Sequence, residues 1–152
     1  MTRPASLHRL AALLLLGLCG CDALVDAPKQ GISVRIESPP EVTTDQVFEI
    51  RTIVTNDGAK PALLDSIDIG DSYLEGVSVE SSEPAWGETM HVPVDNTLSH
   101  DFQATVPAGA SITVTFKARA RQPGSHSGDF DICVNSVYDC FFEHIATEAR
   151  AP

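Results

Sequence analysis

The chain has 152 residues, with 21 Asp or Glu against 10 Lys or Arg and a formal net charge of −11 at pH 7. Such acidity repels phosphate backbones and anionic lipid headgroups, which excludes a nucleic-acid-binding surface and any membrane contact made through surface charge. The length suits one domain with a core of its own, needing neither a metal nor many cross-links.

Arg3 and Arg9 lead into an apolar run from Leu10 to Leu18, and no acidic residue precedes Asp22. A positive start and an apolar stretch of this length have the layout of an export signal, and the run is too short for a span of roughly 20 residues. At its end, Leu18-Cys19-Gly20-Cys21 resembles the lipobox of bacterial lipoproteins: a leucine, two small residues, then the cysteine that becomes the mature N-terminus. The resemblance implies cleavage before Cys21 and a thioether-linked diacylglycerol on its sulfur, with acyl chains such as palmitate. Cys19, directly behind the bulky Leu18, does not fit as the modified residue. Two or more acyl chains, at about 0.8 kcal/mol per buried CH₂, hold a protein stably on a bilayer. The expected organisation is a signal peptide over 1–20, a lipidated terminus and polar spacer over 21–30, and one domain over 31–152. The membrane is then a partner through the lipid on Cys21, and the domain stands outside the cytoplasm in a bacterial cell envelope, on the inner or the outer membrane.

Beyond Gln30 the chain alternates apolar and polar residues between closely spaced turn signals. Ile32, Val34 and Ile36 form a first strand, stopped by Ser38-Pro39-Pro40. Phe48, Ile50 and Val54 share a face that Thr52 interrupts, and Asn56-Asp57-Gly58 supplies a turn. Leu64 to Ile69 and Leu74 to Val79 read as further strands. Ser81 to Ser99, with Pro84, Gly87, Pro93 and the lone Trp86, reads as a long loop or two short edge strands. Phe102, Ala104 and Val106 resume the alternation, Pro107-Ala108-Gly109 turns the chain, and Ile112 to Ala118 alternates cleanly. Gln122 to Gly128 reads as a loop, and Phe130, Ile132 and Val134 as a strand. The tail from Phe141 to Arg150 is expected to be a final strand, with a helix left open by its period. Many short strands with regular turns indicate an all-β sandwich.

Three stretches carry a likeness. Ser38-Pro39-Pro40-Glu41-Val42 followed by Phe48 to Thr55 and Asn56-Asp57-Gly58 resembles the front half of bacterial Ig-like domains of the CARDB and fibronectin type III kind. Thr105 to Val114 looks like their later hairpin, and Pro123-Gly124 with Phe130-Asp131-Ile132 like the loop entering their penultimate strand. The likeness covers about 38–135. It implies a single antiparallel Ig-like β-sandwich acting as a binding or spacing module without catalysis.

With Cys19 lost and Cys21 lipidated, Cys133 and Cys140 remain as a pair in an oxidising compartment, expected to form a disulfide across a hairpin at Asn135 to Asp139. A redox or metal pair would need C-x-x-C spacing or nearby histidines. His91, His100, His126 and His144 make no local metal pair, no G-x-S-x-G, S-x-x-K or P-loop is present, and no catalytic residue, metal ligand or cofactor is assigned. The acidic runs Asp65 to Asp71 and Asp129-Phe130-Asp131 read as solvated strand faces and turns, with calcium as the alternative. Along a strand, Asp129 and Asp131 share one face. Trp86 either anchors a protein or carbohydrate ligand or folds back as a cap on the core.

The function expected is that of a membrane-anchored, non-enzymatic Ig-like lipoprotein serving binding, adhesion or envelope assembly. The alternative is a small metal-dependent or hydrolytic envelope enzyme whose site is gathered from distant loops. Replacing Cys21 by serine is expected to abolish lipid labelling and release the protein from the membrane fraction; unchanged retention refutes the anchor.

Overall fold

In the computed structural model, which describes residues 31–152, the alternating pattern becomes ten strands. The expected signal, spacer and lipidation residue Cys21 lie outside the described residues. In chain order the strands are β1 (Ile32–Glu37), β2 (Glu41–Thr43), β3 (Val47–Asn56), β4 (Ala62–Gly70), β5 (Val77–Glu83), β6 (Thr89–Val92), β7 (Thr97–Val106), β8 (Ala110–Ala120), β9 (Gly124–Val134) and β10 (Cys140–Arg150), with a single helical turn α1 (Asp71–Leu74) before β5.

They form a four-stranded sheet, β1-β3-β8-β5, and a six-stranded sheet, β2-β10-β9-β4-β7-β6. All pairings are antiparallel except that of short β2 along the end of β10. If β1, β3, β4, β5, β8, β9 and β10 are lettered A to G, the sheets read A-B-E-D and G-F-C, which is the immunoglobulin arrangement. The hairpin β6–β7 is an addition that lies beside strand C but enters the chain after strand D. The protein is an all-β, Ig-like sandwich.

Alternation decides what each strand buries. Phe48, Ile50 and Val54 on β3, Val114, Phe116 and Ala118 on β8, and Phe130 and Ile132 on β9 face inward and are buried. Thr52 faces inward with its neighbours rather than breaking their face. Ile67 and Ile69 on β4 complete the layer between the sheets.

The structure differs from the sequence reading at two places and decides between the alternatives left open at two more. Leu74 ends α1, and the strand expected from Leu74 begins only at Val77. The supposed loop Gln122 to Gly128 is mostly strand, since β9 starts at Gly124. Of the glycines that suggested a loop, Gly128 is there for close packing: a Cβ on it would stand 2.8 Å from the Tyr73 Cβ and 2.9 Å from its backbone nitrogen. Of the two alternatives for Ser81 to Ser99 the edge strands hold: the stretch is the end of edge strand β5, the short edge strand β6 and the start of β7, which begins earlier than Phe102 suggests. Phe141 to Arg150 is the expected final strand rather than the helix left open by its period, because β9 offers it a ladder from Cys133↔Cys140 to Gly124↔Ala149.

Gly128 leaves room for α1, and α1 buries Tyr73 completely, its ring 5.7 Å from Phe130 in edge contact. The Tyr73 hydroxyl and the Thr147 hydroxyl on β10 are 2.9 Å apart, so a turn outside the sheets is tied to the last strand. Thr147 is fully buried and needs that partner. Tyr73→Phe is therefore expected to destabilise the domain by about 1–3 kcal/mol, the penalty for an orphaned buried hydroxyl. A lowered urea midpoint at constant slope checks it.

Candidate functional site

The outward faces of the two sheets differ. On or beside the four-stranded sheet, Glu37 pairs with Arg35 and Arg51, and Glu80 with Arg119 and Arg121. The outer face of the six-stranded sheet carries a recess of about 640 Å³ with no lysine or arginine in its lining. Among the described residues, the large apolar side chains left exposed are Val47, Met90, Val94, Val137, Tyr138 and Phe142. All but Val47 stand on this second face or on the turns beside it.

Register builds the recess. Met90 on β6 is opposite Ser99 on β7, Ser99 opposite Asp68 on β4, Asp68 opposite Asp131 on β9, and Asp131 opposite Phe142 on β10. One row across five strands thus has an apolar residue at each end and two carboxylates between. Asp129 adds a third carboxylate two residues along β9, and the turn joining β6 to β7 brings Val94 and Asp95 over one side. Its Asn96 takes a positive φ of 54°, which asparagine tolerates, and its carbonyl accepts the Asp71 amide at 2.8 Å. On the other side the β9–β10 hairpin contributes Val137 and Tyr138. Asn135 fixes that hairpin: its amide donates to the Leu63 carbonyl at 2.7 Å, and its side-chain oxygen accepts the Leu63 amide at 2.9 Å. The Cys133–Cys140 disulfide closes it, with Cα atoms 4.0 Å apart.

The carboxylates are unequally served. Asp68 Oδ1 accepts the Ser99 hydroxyl at 2.5 Å, and Asp129 Oδ1 lies 2.7 Å from His144 Nδ1. Asp131 Oδ1 is buried with no hydrogen-bond partner. Burial pushes the Asp131 carboxyl up from 3.8 to about 6, and the charges of Asp68, Asp129 and Asp95 push the same way. Like charges directly opposed across strands destabilise a sheet, so this row weakens the fold in which it sits.

The sequence-predicted residues fall in different places. Cys133 and Cys140 come together as the disulfide at the edge of the recess. Asp129 and Asp131 share the outward face of β9, joined by Asp68 from the other acidic run. Among the described residues no group of three or more His, Cys, Asp or Glu is arranged to hold a metal ion. Trp86 lies away from the recess, its ring 4.7 Å from His100 and 6.4 Å from Phe116, which is the cap geometry. His100 is buried between the sheets, and burial holds its pKa down. Val94, Asp95, Val137, Tyr138 and Phe142 are the residues that sequence reasoning missed. For all but Asp95 the one local signal is an apolar side chain at a turn position, or at an outward position of β10, where turn chemistry and alternation call for polar ones.

No protein-family model matches the sequence, and no curated protein matches it. Solved structures do. A cohesin module from a Clostridium perfringens family 33 glycoside hydrolase aligns over 82% of this chain and 100% of its own, at 8% identity and a TM-score of 0.55. AvmM, which catalyses macrocyclization in alchivemycin A biosynthesis, aligns over 80% and 89%, at 9% identity and a TM-score of 0.50. The CARDB domain of a Pyrococcus furiosus protein aligns over 85% and 97%, at 14% identity and a TM-score of 0.49. At these identities the likeness is one of fold alone, and the two-sheet sandwich is what this chain shares with the first two.

A native carboxyl with a raised pKa binds its proton more tightly than the unfolded chain does, so stability falls as pH rises from 3.8 to about 6. Asp131→Asn is accordingly expected to stabilise the domain at neutral pH by about 1–2 kcal/mol, after allowance for solvent screening at this half-buried site. The gain should close as pH is lowered through that window. Thermal denaturation of both proteins across it checks the sign.

Proposed function

We propose that the chain is a bacterial lipoprotein, held to an envelope membrane through Cys21, whose sandwich is a non-catalytic binding module displayed outside the cytoplasm. Its working surface is the outer face of the six-stranded sheet. The observation that carries this reading is the asymmetry between the faces: Arg–Glu ion pairs on one sheet, and on the other a recess ringed by exposed apolar groups that holds Asp131, whose Oδ1 has no hydrogen-bond partner. Exposed apolar groups gathered on one patch mark interaction surfaces, whereas scattered ones do not. Tyrosine and phenylalanine at the rim offer large contact area for little lost side-chain freedom. The lipid supplies membrane residence, which leaves the acidic surface free to meet partners that an anionic bilayer would not attract. The disulfide fits an oxidising compartment beyond the cytoplasmic membrane.

A photo-crosslinking phenylalanine analogue at Phe142, in the full chain expressed in its native envelope, tests the assignment. A discrete adduct is expected there and not from the same analogue at Lys117 on the outward face of β8. Equal labelling from both positions, or none from Phe142, overturns it.

A further inference from the structure

The row Met90, Ser99, Asp68, Asp131, Phe142 contains a charge arrangement that nothing in the fold uses. Asp68 and Asp131 are directly opposed. Ser99 supplies one hydrogen bond to Asp68, and the buried Oδ1 of Asp131 receives none. Among the described residues the arginines are engaged elsewhere: Arg35, Arg51, Arg119 and Arg121 at the four-stranded sheet, and Arg150 with Glu41 at the β2 edge. The surroundings are not those of a solvated acidic face. Met90 and Phe142, at the two ends of the row, are 65% and 73% exposed, and Val94 and Tyr138, on the flanking turns, are 84% and 94% exposed.

We propose that this face docks an extended peptide segment of a partner protein, seating an arginine between Asp68 and Asp131 and flanking apolar side chains on Met90, Val94, Tyr138 and Phe142. The proposal deepens the binding-module reading above and rests on it.

Charge complementarity selects this occupant. Once both are ionised, two opposed carboxylates in a half-buried recess are relieved by a cation, and a neutral sugar brings none. A guanidinium suits the place better than an ammonium: its planar fork donates to two acceptors at once, it sheds water more readily, and it stacks on aromatic rings. A metal ion would need several oxygens already converging, and among the described residues no such group exists. A second copy of this acidic chain would bring carboxylates to carboxylates. The dimensions also suit a peptide. Five strands spaced by about 4.8 Å make a row of roughly 19 Å, the reach of about six extended residues. Such a segment can place an arginine at the centre and apolar side chains toward both ends.

Binding by this route needs Asp131 ionised. The groups facing it are Asp68 from β4, Asp129 on its own strand and Asp95 from the β6–β7 turn, with His144 of β10 held on Asp129. All three carboxylates raise its proton affinity, so the bound arginine competes with a proton, and affinity should drop as pH is lowered through about 6.

The test uses the full chain in detergent and a short synthetic peptide, Leu-Ser-Arg-Ser-Leu-Ser, whose leucines and arginine fall at alternate positions and so share one face when extended. Its control carries citrulline, which keeps the shape of arginine without the charge, in place of the arginine. The arginine peptide is expected to bind saturably, to shift the backbone amide signals of Asp68, Asp131 and Phe142, and to bind at least about tenfold more tightly than the citrulline peptide. Asp131→Asn should weaken it by a similar factor while the domain stays folded and melts at a higher temperature, so lost affinity cannot be ascribed to unfolding. Equal affinity for the two peptides, undiminished binding to Asp131→Asn, or no saturable binding of the arginine peptide each overturns the proposal. So do shifts on this face caused by cellohexaose and not by the peptide. An adduct at Phe142 in the native envelope, together with any of those results, removes the arginine while leaving the face as a binding surface.

Discussion

The two sheets are held to each other at Phe116. From β8 in the four-stranded sheet its ring meets Phe130 of β9 at 6.3 Å, and Phe102 and His100 of β7 at 6.0 Å each, all from the opposite sheet. Trp86 stacks on it from the connection before β6. Aromatic pairs of this kind add about 0.5–1.5 kcal/mol each beyond the area they bury. The Ig frame and the added β6–β7 hairpin converge on this one side chain. Phe130 passes the contact on to Tyr73, whose hydroxyl reaches Thr147, so the chain of packing runs from the edge hairpin through the core to the last strand. Whatever lies on the outer face of the six-stranded sheet is carried on a rigid support.

That rigidity makes the acidic row possible. A sheet of ordinary stability tolerates two opposed carboxylates when the apolar layer beneath them is complete, and Ile67, Ile69, Phe130 and Ile132 under Asp68 and Asp131 are all fully buried. Inward positions of β4 and β9 supply stability, and alternate outward positions on the same strands give some of it back. Residues that oppose the fold in which they sit belong, as a rule, to function rather than to folding. The contrast with β3 and β8 makes the point within one molecule, because there the outward charges are matched.

Most of the frame could be read from the sequence. Strands at 32–36, 112–118 and 130–134 announce themselves by strict alternation, and the cysteine pair and the Asn135 to Asp139 turn located the final hairpin. Failures came where local chemistry served a distant contact. Gly124 and Gly128 look like loop residues, yet Gly128 is small because Tyr73 lies against it. Leu74 looks like the start of a strand, yet the turn of helix there exists to deliver Tyr73. The recess was less legible still. Asp129 and Asp131 could be placed on one face, but what lies opposite them depends on a register between β4 and β9, shifted by an irregularity between Leu64 and Ser66. Pairing across more than sixty residues of sequence, offset by such a bulge, leaves no mark in either strand alone.

The recess is walled by two hairpin tips, 93–96 and 135–139, and neither contributes to the aromatic packing around Phe116. Tips of this kind accept substitution and insertion far more readily than strands do. The protein therefore separates what must be inherited intact from what is free to diverge. Lineages that keep the buried layer and the Asp68–Asp131 pair can exchange Val94, Val137 and Tyr138 for other side chains, retuning which neighbours are welcomed around an unchanged charge. A family built on this plan would diversify fastest at those two tips and slowest directly beneath them.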